Sequence, residues 1–90
     1  MAVTVVFNVP GMTAGQYEQI IAGLDERGAA SPDGRLFHVA SATEGGWLVV
    51  DVWESEEKFG RFAEVLTPLV SAAGVQAQPQ IYQTHNVIKG

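Results

Sequence analysis

The chain has 90 residues, ten acidic residues against five Lys and Arg, a formal net charge of −5 and no cysteine. The length sets one small domain, and 47% hydrophobic with 17% charged residues excludes low-complexity disorder. The acidic excess argues against a phosphate-backbone binder or an anionic-membrane binder, and the missing cysteines exclude disulfides, thiolate catalysis and Cys-type zinc sites.

The elements follow in chain order. "AVTVVFNV" (Ala2–Val9) is β-branched and aromatic, and Pro10-Gly11 ends it as a strand. It has no basic flank and does not read as a signal peptide, and no apolar run approaches the ~20 residues of a membrane span, so the cytoplasm is the expected location. Thr13 with Gln16 makes a capping box, and Tyr17, Ile20, Ile21 and Leu24 fall at helical spacing between Ala14 and Arg27, with Gly28 as the stop. "SPDG" (Ser31–Gly34) is a turn. "RLFHVASA" (Arg35–Ala42) and "WLVVDVW" (Trp47–Trp53) are strands joined by hairpin material at Glu44-Gly45-Gly46. Ser55 caps a second helix, with Glu56 and Glu57 in the first turn, where the dipole favours acids. Phe59, Phe62, Ala63, Leu66, Leu69 and Val70 make its apolar stripe. Pro68 is expected to kink or restart that helix, with Thr67 capping the restart, and Gly74 to end it. "QPQIYQTHNVI" (Gln78–Ile88) reads as the last strand.

The order β-α-β-β-α-β predicts a ferredoxin-like α+β sandwich of four antiparallel strands with two helices on one face. Such a sheet should alternate apolar and polar residues, yet both of its faces are apolar. Val3, Val5 and Phe7 take one face of the first strand, with Val6 and Val9 read on the other. Trp47, Val49 and Trp53 share one face of the third strand, and Leu48, Val50 and Val52 the other. A monomer would leave a large apolar surface exposed, so an isologous homodimer is expected. A chain of this size buries only about 60–65% of its unfolded surface alone, which points the same way.

Several polar residues interrupt apolar segments. Asp51 lies between valines on the face of both tryptophans. It is either paired with a cation or a neighbouring strand, or it is a pocket acid. His38 and His85 sit inside predicted strands, where each is structural or a general base, a role that imidazole suits near neutral pH. Asn8 is either bonded to backbone near Pro10 or a donor to a ligand oxygen. Trp47, Trp53, Phe59 and Phe62 are core aromatics that could also stack on a flat ligand. Tyr82 lies near His85 on the last strand. No nucleophile motif or phosphate loop is present, and two histidines at unrelated spacing with no fixed carboxylate make only a weak metal signal, so no metal is expected.

The junction "VVDVWESEEKFGRF" resembles that of antibiotic-biosynthesis-monooxygenase-like proteins of the dimeric α/β-barrel superfamily: an acid, Trp or Tyr two residues on, Ser, acids and a helix aromatic, here Asp51, Trp53, Ser55, Glu56, Glu57 and Phe59. The element order and length match over the whole chain. The resemblance implies a dimeric α/β barrel. It also implies a small, aromatic or polyketide-like ligand in a pocket between sheet and helices, and cofactor-independent oxygenation or proton transfer if the protein is an enzyme. On that reading His38 or His85 is the base, Asn8 a polar positioner, Trp53 and Phe62 walls, and Asp51 and Tyr82 further pocket residues, with no metal and no cofactor. Haem-degrading members of the superfamily use a first-strand Asn, a helix Trp and an iron-ligating His. Asn8 matches the first, but ungapped counting puts Phe62 and Ala72 at the other two. The alternative is a non-catalytic dimeric binding or interaction module, which a solid core with no cavity beside Asn8 would favour.

Overall fold

The computed structural model describes all residues, 1–90, in the order β1 (Val3–Pro10), α1 (Ala14–Glu26), β2 (Arg35–Thr43), β3 (Gly46–Trp53), α2 (Glu56–Ala72) and β4 (Gln80–Gln83). The strands form one antiparallel sheet in the order β2-β3-β1-β4. This is the ferredoxin-like α+β arrangement that the alternation of periods implies.

Each helix begins where its cap allows. The Thr13 hydroxyl accepts from the Gln16 backbone N–H at 3.2 Å, and the Gln16 carboxamide oxygen accepts from the Thr13 N–H at 3.0 Å. The same Gln16 donates from its amide nitrogen to the Ala73 carbonyl at 3.2 Å, tying the start of α1 to the end of α2. Ser55 caps α2 through the Lys58 N–H. That helix runs unbroken through Pro68. Thr67 does not cap a restart, and its hydroxyl donates back to the Ala63 carbonyl at 2.8 Å. The missing proline N–H falls on an exposed side of the helix, where water reaches the unmatched carbonyl.

The core lies between helices and sheet. Val3, Val5, Phe7 and Val9 of β1 all point into it. Val9 therefore lies on the inner face, not the outer one, because a period of two keeps residues 3, 5, 7 and 9 together. Trp53, fully buried, packs against Phe59 and Phe62 of α2, with ring centroids 5.7 and 5.0 Å apart. Only 12 of the 90 residues are buried, so the core is small even for this length.

β4 is shorter than the sequence suggests. Pro79 offers no N–H, so pairing starts at Gln80, and it ends at Gln83 because β1 begins at its partner Val3. One bond continues the pattern, from the Thr84 N–H to the Ala2 carbonyl at 3.0 Å. The outer face of the sheet carries Phe37, Val39, Leu48, Val50, Val52 and Val6, none of them fully buried and Val39 56% exposed.

Two glycines test this packing in opposite directions. A Cβ on Gly46 would lie 2.6 Å from the Val9 carbonyl oxygen and 3.0 Å from Pro10 Cα, where the β2–β3 hairpin abuts β1. Gly60 lies in α2 with open space around it. Urea denaturation should show Gly46→Ala destabilising by about 1–3 kcal/mol through forced backbone displacement. Gly60→Ala should stabilise by roughly 0.5–1 kcal/mol through helix propensity.

Candidate functional site

A cleft with about 60 Å³ of interior space, open to solvent at its mouth, lies between the inner face of the sheet and the two helices. Of its 16 lining residues 13 are hydrophobic, Tyr17 among them, so the few polar groups determine how a ligand would be oriented. Phe7, Ile20, Leu24, Phe62, Leu66 and Val70 form much of the apolar wall. Tyr17, Arg35, His38 and Asp51 form the polar part.

These polar residues are brought together by register. Asp51 and Trp53 lie two apart on β3 and point inward together. His38 of β2 is directly opposite Asp51. Tyr17 comes down from the face of α1 that also carries Ile20 and Leu24. A continuous hydrogen-bonded chain results. The Trp53 indole N–H donates to Asp51 Oδ2 at 3.3 Å. His38 Nδ1 lies 2.6 Å from Asp51 Oδ1, and His38 Nε2 lies 2.8 Å from the Tyr17 hydroxyl.

The partners fix the protonation pattern. A carboxylate only accepts, so Nδ1 carries a proton and donates to Asp51. In the neutral ring Nε2 then accepts from the Tyr17 O–H. Asp51 is 2% exposed, and a buried carboxylate is tolerated only with such partners on both oxygens. The Tyr17 ring lies nearly parallel to the His38 ring, at 10° and 6.2 Å, and is flanked by Trp47 at 5.3 Å. Burial, chiefly, pushes the Tyr17 hydroxyl above its ordinary range. The charges of Glu18 and Asp51 add to the rise and Arg35 opposes it. Tyr17 is therefore a neutral donor at physiological pH. The Trp47 indole N–H is buried without a protein partner.

The residues singled out in the sequence fall into two groups. His38, Asp51 and Phe62 line the cavity, and Trp53 supports Asp51 from behind it. Asn8, His85 and Tyr82 lie elsewhere. Asn8 is exposed on the outer face opposite Leu48, because its even position in β1 turns it away from the helices. His85 is exposed beyond the end of β4, far shorter than its sequence implied. Tyr82 is 54% exposed on the outer face, with its hydroxyl 3.5 Å from the Gln80 side chain. Tyr17 and Arg35 were missed by sequence reasoning. Tyr17 read as one more apolar position of a helix stripe, and Arg35 as the polar start of a strand.

No protein-family profile matches the chain, and no curated protein sequence does. Solved structures do. One is a point mutant of SnoaB, a cofactor-independent oxygenase from Streptomyces nogalater, with a TM-score of 0.71 at 15% identity over 99% of this chain and 98% of that one. Another is a protein provisionally named an antibiotic biosynthesis monooxygenase from Chloroflexus aurantiacus J-10-fl, with a TM-score of 0.62 at 18% identity over 99% and 100%. The fold is that of the antibiotic-biosynthesis-monooxygenase-like proteins. Rv0793 from Mycobacterium tuberculosis is also similar, with a TM-score of 0.70 at 10% identity over 99% and 100%. At these identities the likeness is one of fold, and activity has to be argued from the site. No helix is long and apolar enough to cross a membrane.

The raised Tyr17 hydroxyl yields a titration with a definite sign. The folded state holds this proton more tightly than the unfolded chain does. Its contribution to stability is complete below the ordinary tyrosine range and is lost as pH rises through the folded value. Absorbance titration should show a tyrosinate step above pH ~10 that Tyr17→Phe removes. The stability difference between the two proteins should shrink over the same alkaline interval.

Proposed function

We propose that this protein binds a small aromatic or polyketide-like molecule in the cavity and, as a homodimer, catalyses its cofactor-independent oxygenation, beginning with a proton transfer. The observation that carries the reading is the Tyr17–His38–Asp51 chain, buried at its Asp51 end, at the polar end of an otherwise apolar cavity. A titratable relay in an apolar cleft is the arrangement expected of acid–base chemistry. The fold shared with SnoaB, itself named a cofactor-independent oxygenase, supports it.

The residues act as follows. A weakly acidic hydroxyl or activated C–H of the ligand meets the Tyr17 oxygen. As Tyr17 takes that proton, its own moves to His38 Nε2, and the imidazolium is stabilised by Asp51 at Nδ1. Asp51 keeps its orientation because Trp53 holds its other oxygen. The ligand carbanion then reduces dioxygen. For a benzylic CH₂ the balance is CH₂ + O₂ → C=O + H₂O, so dioxygen supplies both the oxygen atom and the oxidising equivalents. The apolar walls keep bulk water from quenching the carbanion.

A non-catalytic binding module is the second reading. It is favoured by the capping of His38 Nε2 by Tyr17 and by Asn8 facing away from the cavity.

The test is aerobic turnover of a hydroxylated anthrone, followed by absorbance and by ¹⁸O₂ incorporation. Wild-type protein should accelerate quinone formation above the spontaneous rate. His38→Ala should lower the enzymic rate by about 10²–10⁴-fold, the ordinary worth of a positioned acid–base group. Binding without acceleration would sink the oxygenase reading in favour of the binding module.

The dimer has its own test. Face-to-face packing of two sheets would cover the outer valines, and Val50 sits at their centre, opposite Val6 on one side and Val39 on the other. Native mass spectrometry should show a dimer for the wild type and a folded monomer for Val50→Glu. A wild-type monomer would remove the dimer from the proposal.

A further inference from the structure

Arg35 is placed in this cavity by a break in strand pairing. Along β2, Arg35 pairs with Trp53 and Phe37 with Val52, so Leu36 is an extra residue in a β-bulge. Trp53 points inward, and Arg35 opposite it does too. His38, three residues on, also points inward. Regular alternation would put residues three apart on opposite faces. The bulge is what brings both onto one face, and bulges recur where a side chain must be re-aimed near a site.

The outcome reverses the usual patterning. Leu36 is left 49% exposed while Arg35 is turned to the border of a largely apolar cavity. Hydrophobic burial does not favour that exchange, and local rules are broken most often at functional sites.

Arg35 is also without a charge partner in an acidic protein. The ion pairs of the chain join His38 to Asp51, Lys58 to Asp33 and Glu54, and Arg61 to Glu57. Lys89 lies over the Phe37 ring. Arg35 donates one bond, to the Ala30 carbonyl at 2.9 Å, and most of its donors remain free. Together with His38 it also borders a small polar recess, lined further by Ser31 and Pro32. It is thus a partly buried, unpaired, planar cation between an apolar chamber and a polar recess.

We propose that Arg35 is the anion-recognition residue of the cavity and that the ligand is an apolar, ring-bearing carboxylic acid. This rests on the pocket reading given above. A carboxylate matches the guanidinium fork in two parallel bonds, which fixes direction as well as affinity. With the carboxylate at Arg35, the ring lies among Phe62, Leu66 and Phe7, and the Tyr17 hydroxyl faces it from the side. Asp51 does not repel such a ligand strongly, because both of its oxygens are already engaged by His38 and Trp53.

The test uses two probes of one shape, 2-naphthoate and 2-naphthamide, titrated by calorimetry into the full-length protein at neutral pH. Wild type should bind the carboxylate at least about tenfold more tightly than the amide. Arg35→Gln should abolish that preference while leaving amide affinity unchanged. Arg35→Lys, which keeps the charge and loses the fork, should retain part of it, and circular dichroism should show both variants folded. Equal affinities in the wild type, or a preference that survives in Arg35→Gln, would overturn the assignment of Arg35. Failure of both probes to bind the wild type would instead overturn the pocket reading and the anion site with it.

Discussion

A carboxylate with almost no contact with water lies in the middle of the sheet's inner face, and the site is organised around it. Asp51 is 2% exposed. Left alone, a charge so placed would cost several kcal/mol. Its two oxygens are instead taken by an imidazole N–H from the neighbouring strand and an indole N–H from its own strand. Each partner is constrained in return. His38 has its tautomer set, so its second nitrogen is an acceptor aimed towards the cavity, and Trp53 is pinned at the centre of the core, against Phe59 and Phe62. The same bonds that make the acid tolerable therefore arrange the acid–base chain and anchor the largest core side chain.

Helices and sheet contribute differently to this arrangement. The register of β1, β2 and β3 fixes His38, Asp51 and Trp53 within one layer. The helices supply Tyr17 and the apolar roof. Gly23 of α1 lies against Leu69 of α2, so closely that a Cβ there would come 2.7 Å from a leucine methyl. The sheet's opposite face is apolar as well but carries no such chain. Its valines and Phe37, the latter with Lys89 over its ring, make a broad apolar surface of the kind that single soluble chains seldom leave open.

Much of this was legible in the sequence, for physical reasons that also explain the gaps. Alternating periods of two and 3.6, together with the caps at Thr13 and Ser55, define every element. Asp51 among valines signalled an acid that had to be partnered. The pairing to His38 was not legible, because nothing in the separate strands sets their relative register. Val9 moves to the inner face, and Asn8 leaves the pocket for the outer one, once the period of two is counted strictly from Val3. His85 and Tyr82 seemed close to a site only while the last strand was read as eleven residues long. Pro79 and the start of β1 at Val3 reduce it to four. The bulge at Leu36 leaves no mark in composition, so Arg35 had no signal of its own.

The relay spans two layers that are held together with different stiffness. His38 and Asp51 belong to adjacent, hydrogen-bonded strands, so their 2.6 Å contact moves with the sheet as one body. Tyr17 reaches His38 from a helix that rests on the sheet through side chains alone. Any movement of α1 away from the sheet would lengthen the phenol–imidazole bond and leave the imidazole–carboxylate bond untouched. The tyrosine covers the histidine's lone pair. The chain therefore has one loose joint, at Tyr17, the only one of its members that does not belong to the sheet.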